Sequence, residues 1–265
     1  MGKVDPQTIL RSVEEKYGSC QSYKDIGKVC SDRKNSHNID LEFNTLFQRP
    51  NMLRFDFQSN CLPFDIPGEW HKLNSDGRLF HIDKGLFCEQ QHHNSVYSAI
   101  HAITPLCETA ASMVLPLLFG KEQFLKAAPV QLQDSYRTIL DLENTKLLGS
   151  EEIDGNKCFV LDGIWISSKE IRLWIAEGDF AILKIEKQNA VTGEGLRDAL
   201  SEIKGAIDFS EAHDETEEGF KHILEQLASF DEMSIEDEHC SSHETVFSFN
   251  DVLFDEPVAP NVFVH

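Results

Sequence analysis

Ile39, Leu41, Phe43, Thr45 and Phe47 alternate with Asp40, Glu42, Asn44 and Leu46. Successive side chains of a strand point to opposite faces, so a period of two commits this segment to a strand with one apolar face. Arg49-Pro50-Asn51 is a turn, after which Leu53, Phe55 and Phe57 resume the alternation against Arg54 and Asp56. Ser75-Asp76-Gly77 is a hairpin signal, with Phe80 and Ile82 on the outgoing strand and Phe87 on the next. Further strands are predicted at 139–142 and 146–148, with a turn over 152–156. A meander follows at 158–165, 171–175 and 180–187, with Gly178-Asp179 between the last two. Thr245, Phe247 and Phe249 alternate again, and Val262-Phe263-Val264 closes the chain. Short turns between successive strands favour antiparallel pairing. The chain uses 18 Phe against 4 Tyr and 3 Trp. Phe has no polar handle, which suits a dry core or a greasy cavity.

Helical spacing enters in three places. Asp5-Pro6 opens a helix as cap and first-turn proline, Ile9, Leu10, Val13 and Tyr17 give its apolar stripe, and Gly18 ends it. Over 94–128 the pattern is Val96, Tyr97, Ile100, Ile103 and Leu106, then Met113, Val114, Leu117 and Leu118, predicting helices interrupted at Pro105 and Pro116. This block is apolar on too many sides for a surface helix, so it must be covered or must itself be a cover. Over 193–239, Leu196, Leu200, Ile203 and Ile207 fit one helix, and Phe220, Ile223, Leu224, Leu227 and Phe230 another. That stretch holds 15 acidic against 3 basic residues, so −12 of the net −21 falls there. It reads as an acidic helical insertion, either a solvated face or a docking site for a cationic partner.

Charge and length exclude several classes. A chain of net −21 repels phosphate backbones, and no basic stripe interleaved with aromatics is present, so nucleic acid is not an expected partner. Ala99 to Phe119 is the most apolar stretch, but His101, Glu108, Pro105 and Pro116 argue against a membrane span. Met1 to Asp5 contains no apolar leader segment, which predicts either a cytosolic chain or one whose leader has been removed. Seven Cys show no CxxC and no regular spacing, the pattern of scattered thiols rather than a disulfide framework or zinc site. With 41% hydrophobic residues over 265 and no repeat or linker, a single domain spanning 1–265 is expected.

Catalytic chemistry finds little support. The sequence has no GxSxG, HExxH, Walker loop or GxGxxG. His92-His93 is the best metal candidate, but neighbours on a strand point to opposite faces, and a loop beside the apolar block is the simpler reading. The acidic run at 215–218 lacks the alternation of an EF-hand. Cys107, near His101 and Glu108, reads as a buried thiol rather than a nucleophile. No enzyme activity, cofactor or metal is expected.

The order of motifs resembles the LolA/LolB-like lipoprotein-carrier superfamily, including its outer-membrane lipoprotein-sorting and periplasmic relatives. The resemblance rests on Glu15-Lys16-Tyr17 closing the first helix, Ser22 to Gly27, Phe47 to Phe55 with its Arg49-Pro50 corner, and Ser75-Asp76-Gly77-Arg78 before Phe80. It continues through Leu147 to Gly155, Leu173-Trp174-Ile175, Ile182 to Ile185, and Phe254 to Val258 with Phe263. The 193–239 insertion departs from the usual pattern, and Met1 to Asp5 shows no apolar leader segment of the kind the resemblance leads one to expect.

The resemblance implies an α+β fold: a strongly curved antiparallel half-barrel sheet, an apolar helical lid over 94–128, and an acidic helical insertion. It also implies a periplasmic or extracytoplasmic, non-enzymatic carrier of lipid or of the acyl chains of an acylated protein. Each buried methylene contributes about 0.8 kcal/mol, so acyl chains bind usefully without specific contacts. The expected cavity residues are Phe43, Phe55, Phe57 and Phe80 from the sheet, with Ile100, Ile103, Met113, Leu117 and Leu118 from the lid. Arg49 matches the family position that holds the lid through hydrogen bonds to its backbone; read from the residues alone, it is equally a surface Arg at a turn. The alternative function is an interaction or sensor module of the same fold, docking a cationic protein through 193–239.

Overall fold

The computed structural model describes residues 4–32, 39–59, 70–76, 79–83, 91–93, 95–97, 99–100, 110–126, 137–165, 169–190 and 242–263. The chain divides into two compact units, Met1–Gln188 with Glu244–His265, and Asn189–His243. The acidic stretch expected over 193–239 lies outside the described residues, as do Ile103, Phe87 and the side chain of Phe80.

The first unit begins with α1 (Pro6–Ser19). Ile9, Leu10, Val13 and Tyr17 are its buried stripe. It runs one residue past Gly18, and Asp5 does not cap it through its side chain, because the carboxylate takes the Thr8 hydroxyl at 3.2 Å instead. The strands are β1 (Ser22–Asp32), β2 (Ile39–Gln48), β3 (Met52–Ser59), β4 (His71–Asp76), β5 (Phe80–Asp83) and β6 (Gln91–His93). Two short helices follow, α2 (Ala110–Phe119) and α3 (Lys121–Lys126). Then come β7 (Glu143–Ile153), β8 (Asn156–Trp165), β9 (Lys169–Ala176), β10 (Ile182–Ala190) and β11 (Ser242–Phe254), with a closing 3-10 turn at Pro260–Phe263. These strands form one curved sheet that does not close into a barrel, in the order β6-β5-β4-β3-β2-β1-β11-β10-β9-β8-β7. β11, from the end of the chain, pairs antiparallel with β1, the central strand, and so sits inside the order as its seventh strand.

Register aligns one face across the central strands. Gly27 lies opposite Phe43, which lies opposite Phe57; Val29 lies opposite Leu41 and Phe247. Leu41, Phe43, Phe47, Leu53, Phe55, Phe57, Leu73, Phe247 and Phe249 are all buried on this face. β1 contributes Tyr23, Asp25, Gly27 and Val29 to the same face. Gly27 is required there: a Cβ at this position would fall within the Phe43 ring. Phe43 thereby covers the glycine and reaches Phe55 and Phe249, each with ring centroids 5.7 Å away. On the opposite face, Cys158, Val160 and Trp174 form a small second cluster with Ile153 and Leu183. Lys184 lies over the Trp174 ring at 4.4 Å and Glu151 accepts its indole N–H at 2.7 Å.

Three local expectations are corrected. Residues 139–142 are not a strand: Asp141 accepts from the Thr138 amide at 2.7 Å and its hydroxyl at 3.0 Å, closing a turn. Trp165 fixes that turn by donating to the Thr138 carbonyl at 2.8 Å. Pro116 does not interrupt the second apolar helix; it lies inside α2 and removes only one rung. The break falls at Gly120, whose φ of 81° is a left-handed stop that glycine adopts without strain. Val262-Phe263 forms the 3-10 turn rather than a strand, and Phe263 is buried. Among the described residues no helix is long and apolar enough to cross a membrane.

Candidate functional site

α2 is the element that an ordinary globular domain does not need. Every residue from Met113 to Phe119 is buried, a run longer than any single helix face supplies. Each such apolar side chain contributes about 1.5–3 kcal/mol by leaving water. Met113, Leu117, Leu118 and Ile100 belong to the same core cluster as Phe43, Phe55 and Phe57. Those expected site residues that are described therefore lie in one apolar body, in which the helical and sheet side chains fill the space between them. At its edge Phe119 meets Phe47 edge-on, with centroids 5.1 Å apart.

Arg49 closes this body from outside. It follows the β2 strand end, its amide donates to the Gln21 carbonyl at 2.9 Å, and its guanidinium lies 5.5 Å from the Phe47 ring centroid. The guanidinium donates to Cys20 O at 2.6 Å, Tyr17 O at 3.1 Å and Leu118 O at 2.8 Å, and also to Gly18 O. These carbonyls belong to the last turns of α1 and α2 and to the residue just after α1. Terminal carbonyls lack intrahelical donors and carry the negative end of each helix dipole. One planar cation with several fixed donors thus joins two helix ends that are far apart in sequence. The peptide bond between Arg49 and Pro50 is cis.

A cleft of ≈ 620 Å³ opens beside this junction, with Leu117 and Phe119 on its apolar wall and Arg49, Lys121 and Lys126 among its polar groups. Lys121 reaches Asp141 at 2.5 Å, and Lys126 reaches Glu122 at 2.7 Å. Burial alone would raise the Asp141 carboxyl, but the hydrogen bonds from Lys121 and Thr138 hold it below its usual range.

A polar network that periodicity does not reveal lies under α1. Asp25 is fully buried on the apolar face, where it accepts the Tyr23 hydroxyl at 2.7 Å and the Thr45 amide at 3.1 Å. Burial raises its pKa to about 6, against the opposing hydrogen bonds from Thr45 and Tyr23. Burial likewise pushes the Tyr17 and Tyr23 hydroxyls up. Tyr17 accepts the Ile182 amide at 3.0 Å and packs against Tyr23 and Phe254. The readable signal for this network is Asp25 itself, a carboxylate at a position whose two-residue neighbours are Tyr23 and Gly27.

Among the described residues no three His, Cys, Asp or Glu side chains come together as a metal site. Cys20, Cys30 and Cys158 form no disulfide, and Cys20 and Cys158 are buried. Cys107, His101 and Glu108 lie outside the described residues, and His92-His93 form part of β6.

No protein-family model matches the chain, and no curated protein matches it. Solved structures similar to it include the lipoprotein LppX of Mycobacterium tuberculosis, 11% identical with a TM-score of 0.43 over 96% of this chain and 97% of that one. LprF of Mycobacterium bovis is 10% identical with a TM-score of 0.42, covering 96% of this chain and 94% of that one. A LolA superfamily protein of Nitrosomonas europaea is 12% identical with a TM-score of 0.33, covering 99% and 98%. At such values the function is read from the geometry around Arg49 and α2.

Proposed function

We propose that this protein binds the acyl chains of a lipid or lipoprotein between its sheet and α2, without catalysing a reaction on them, and that Arg49 latches the closed form. The observation that carries this reading is the pairing of a helix buried throughout its last seven residues with one external cation that bonds its end. When α2 leaves, the sheet presents Phe43, Phe55 and Phe57 as a continuous apolar surface, and acyl chains replace the contacts that α2 made. When the chains leave, α2 refills the space. Such an exchange needs a cover whose binding is comparable to that of the cargo, so a few kcal/mol in the latch governs the balance. An extracytoplasmic site of action is part of this reading, since carriers of lipoprotein acyl chains work between membranes.

Arg49→Leu removes the charged donors and leaves the α2 carbonyl unpaired. It costs the closed form about 1.5–3 kcal/mol, roughly one to two decades in population. The expected result is that Arg49→Leu co-purifies with more lipid in native mass spectrometry and transfers it more slowly to acceptor vesicles. Arg49→Lys restores transfer in part, because an ammonium cannot reproduce the fork. Unchanged lipid content and transfer in a folded Arg49→Leu protein would sink the latch; lipid absent from both proteins under all loading conditions would sink the carrier reading.

A further inference from the structure

We infer that the cleft beside Arg49 takes the anionic end of an amphiphile, a phosphate or carboxylate group, and that occupancy there draws Arg49 away from the helix carbonyls and frees α2. The inference rests on the reading of the protein as an acyl-chain binder and adds to it the chemistry of the other end of the ligand.

Three features of the cleft point to an anion. Its lining holds three cations, Arg49, Lys121 and Lys126, against two carboxylates, Glu14 and Glu122. Lys121 is paired with Asp141 and Lys126 with Glu122, so Arg49 is the cation of the cleft whose hydrogen-bond partners are uncharged, and the cleft is not acidic although the chain is net −21. The way to Arg49 is open, because Gly18 and Gly120 line the same cleft and a Cβ added to either meets no atom within 4 Å. The Leu117 and Phe119 side chains form the wall that leads from these charges toward the apolar body. A ligand with one charged end and one aliphatic end fits that order of surfaces.

The same geometry couples the anion to α2. Among the described residues the Arg49 guanidinium donates to four acceptors, all neutral carbonyls. A guanidinium pairs with an oxyanion in a bidentate fork, which adds the attraction of a full negative charge that a neutral carbonyl lacks. An anion reaching Arg49 from the cleft therefore competes with Leu118 O, and α2 loses the bond at its end. Lys126 assists without leaving the cleft, because it is 74% exposed and its bond to Glu122 is a surface pair of small worth, whereas Lys121 stays with Asp141. The headgroup thus acts as the key for the latch, so that the cover opens where a chain is present to replace it.

The test uses the full chain with three probes below micelle formation: dodecyl phosphate, dodecyl maltoside and inorganic phosphate. Affinity is read by calorimetry and α2 opening by hydrogen exchange of the amides in 113–119. The expected result is that dodecyl phosphate binds and speeds α2 exchange, and that Lys126→Glu weakens its binding roughly tenfold or more while leaving dodecyl maltoside unchanged. Lys157→Glu, the same charge change at an exposed position of β8, leaves both affinities unchanged. Inorganic phosphate speeding α2 exchange by itself supports the anion site and assigns it to free anions as well; an effect confined to dodecyl phosphate assigns it to the amphiphile. Equal losses for both amphiphiles in Lys126→Glu, equal losses in Lys157→Glu, or binding of dodecyl maltoside alone overturns the headgroup site while the acyl-chain reading stands. Binding of no amphiphile at all overturns both.

Discussion

α1 and α2 cover the same apolar body, yet they are built on opposite rules. α1 buries four residues at helical spacing and turns Arg11, Glu14 and Glu15 to solvent. It is tied down by groups that reach it from the whole fold: Tyr17 to the β10 amide of Ile182, Lys16 to Asp255, and Tyr17 to the rings of Tyr23 and Phe254. α2 has no polar face over 113–119 and is held by packing and, at its end, by the bond from Arg49 to Leu118 O. A helix with a polar face and many directional ties belongs to the scaffold. A helix of mostly undirected apolar contacts, with a removable polar tie at its end, is suited to being exchanged for other undirected apolar contacts.

The comparison breaks if the two helices respond alike to truncation. Tyr17→Ala removes a buried ring and the acceptor of the Ile182 amide, and is expected to lower global stability by about 3–5 kcal/mol. If α1 stays docked on the proposed opening of α2, the free energy of that opening is expected to be unchanged. Denaturant midpoints read the first quantity and native-state hydrogen exchange over 113–119 reads the second. Leu118→Ala truncates a fully buried side chain of α2 and is expected to cost about 2–5 kcal/mol, appearing equally in both measurements. If Tyr17→Ala also loosens α2 by several kcal/mol, or Leu118→Ala leaves its exchange unaltered, the division into scaffold and cover fails.

A third measurement sharpens the contrast, because a buried carboxyl underlies α1. Asp25 has a folded-state pKa of about 6 against an ordinary 3.8. A raised acid pKa means that the native state binds the proton more tightly. The contribution is therefore complete below pH 3.8 and is lost as pH rises through 6, a change of about 3 kcal/mol. Asp25→Asn removes this titration. Its stability relative to the parent protein is expected to rise by that amount between about pH 4 and pH 7. Urea midpoints across this range check it, and parallel profiles for the two proteins would count against a titrating Asp25.

The elements that were legible share one property: they bury a face on which apolar residues recur at the period of the element, with Thr45 of β2 buried among them. β2 and β3 show it in Leu41, Phe43 and Phe47 and in Leu53, Phe55 and Phe57, and α1 in Ile9, Leu10, Val13 and Tyr17. β1, at the centre of the sheet, escapes the same reading because its buried face is Tyr23, Asp25, Gly27 and Val29. An acid and a glycine interrupt the apolar alternation, and each is made tolerable by a distant partner: Thr45 and Tyr23 for Asp25, and the Phe43 ring for Gly27. The segment 139–142 errs the other way. Ile139, Leu140 and Leu142 look like a strand, but Asp141 can satisfy the Thr138 amide locally, and a local bond competes with pairing.

For the candidate site, the sequence by itself determined which residues are apolar enough to meet and that Arg49 stands at a corner beside Pro50. Periodicity is local, and it carries that information over a few residues on one element. Only the tertiary structure decided that the guanidinium meets the ends of α1 and α2 together, that α2 continues through Pro116 to Phe119, and that a cleft with three cations lies against that junction. Those facts depend on carbonyls and side chains brought close from Tyr17, Arg49 and Leu118. A polar contact between elements leaves no periodic trace on any one of them, because its worth lies in the distance between groups that the chain alone does not set.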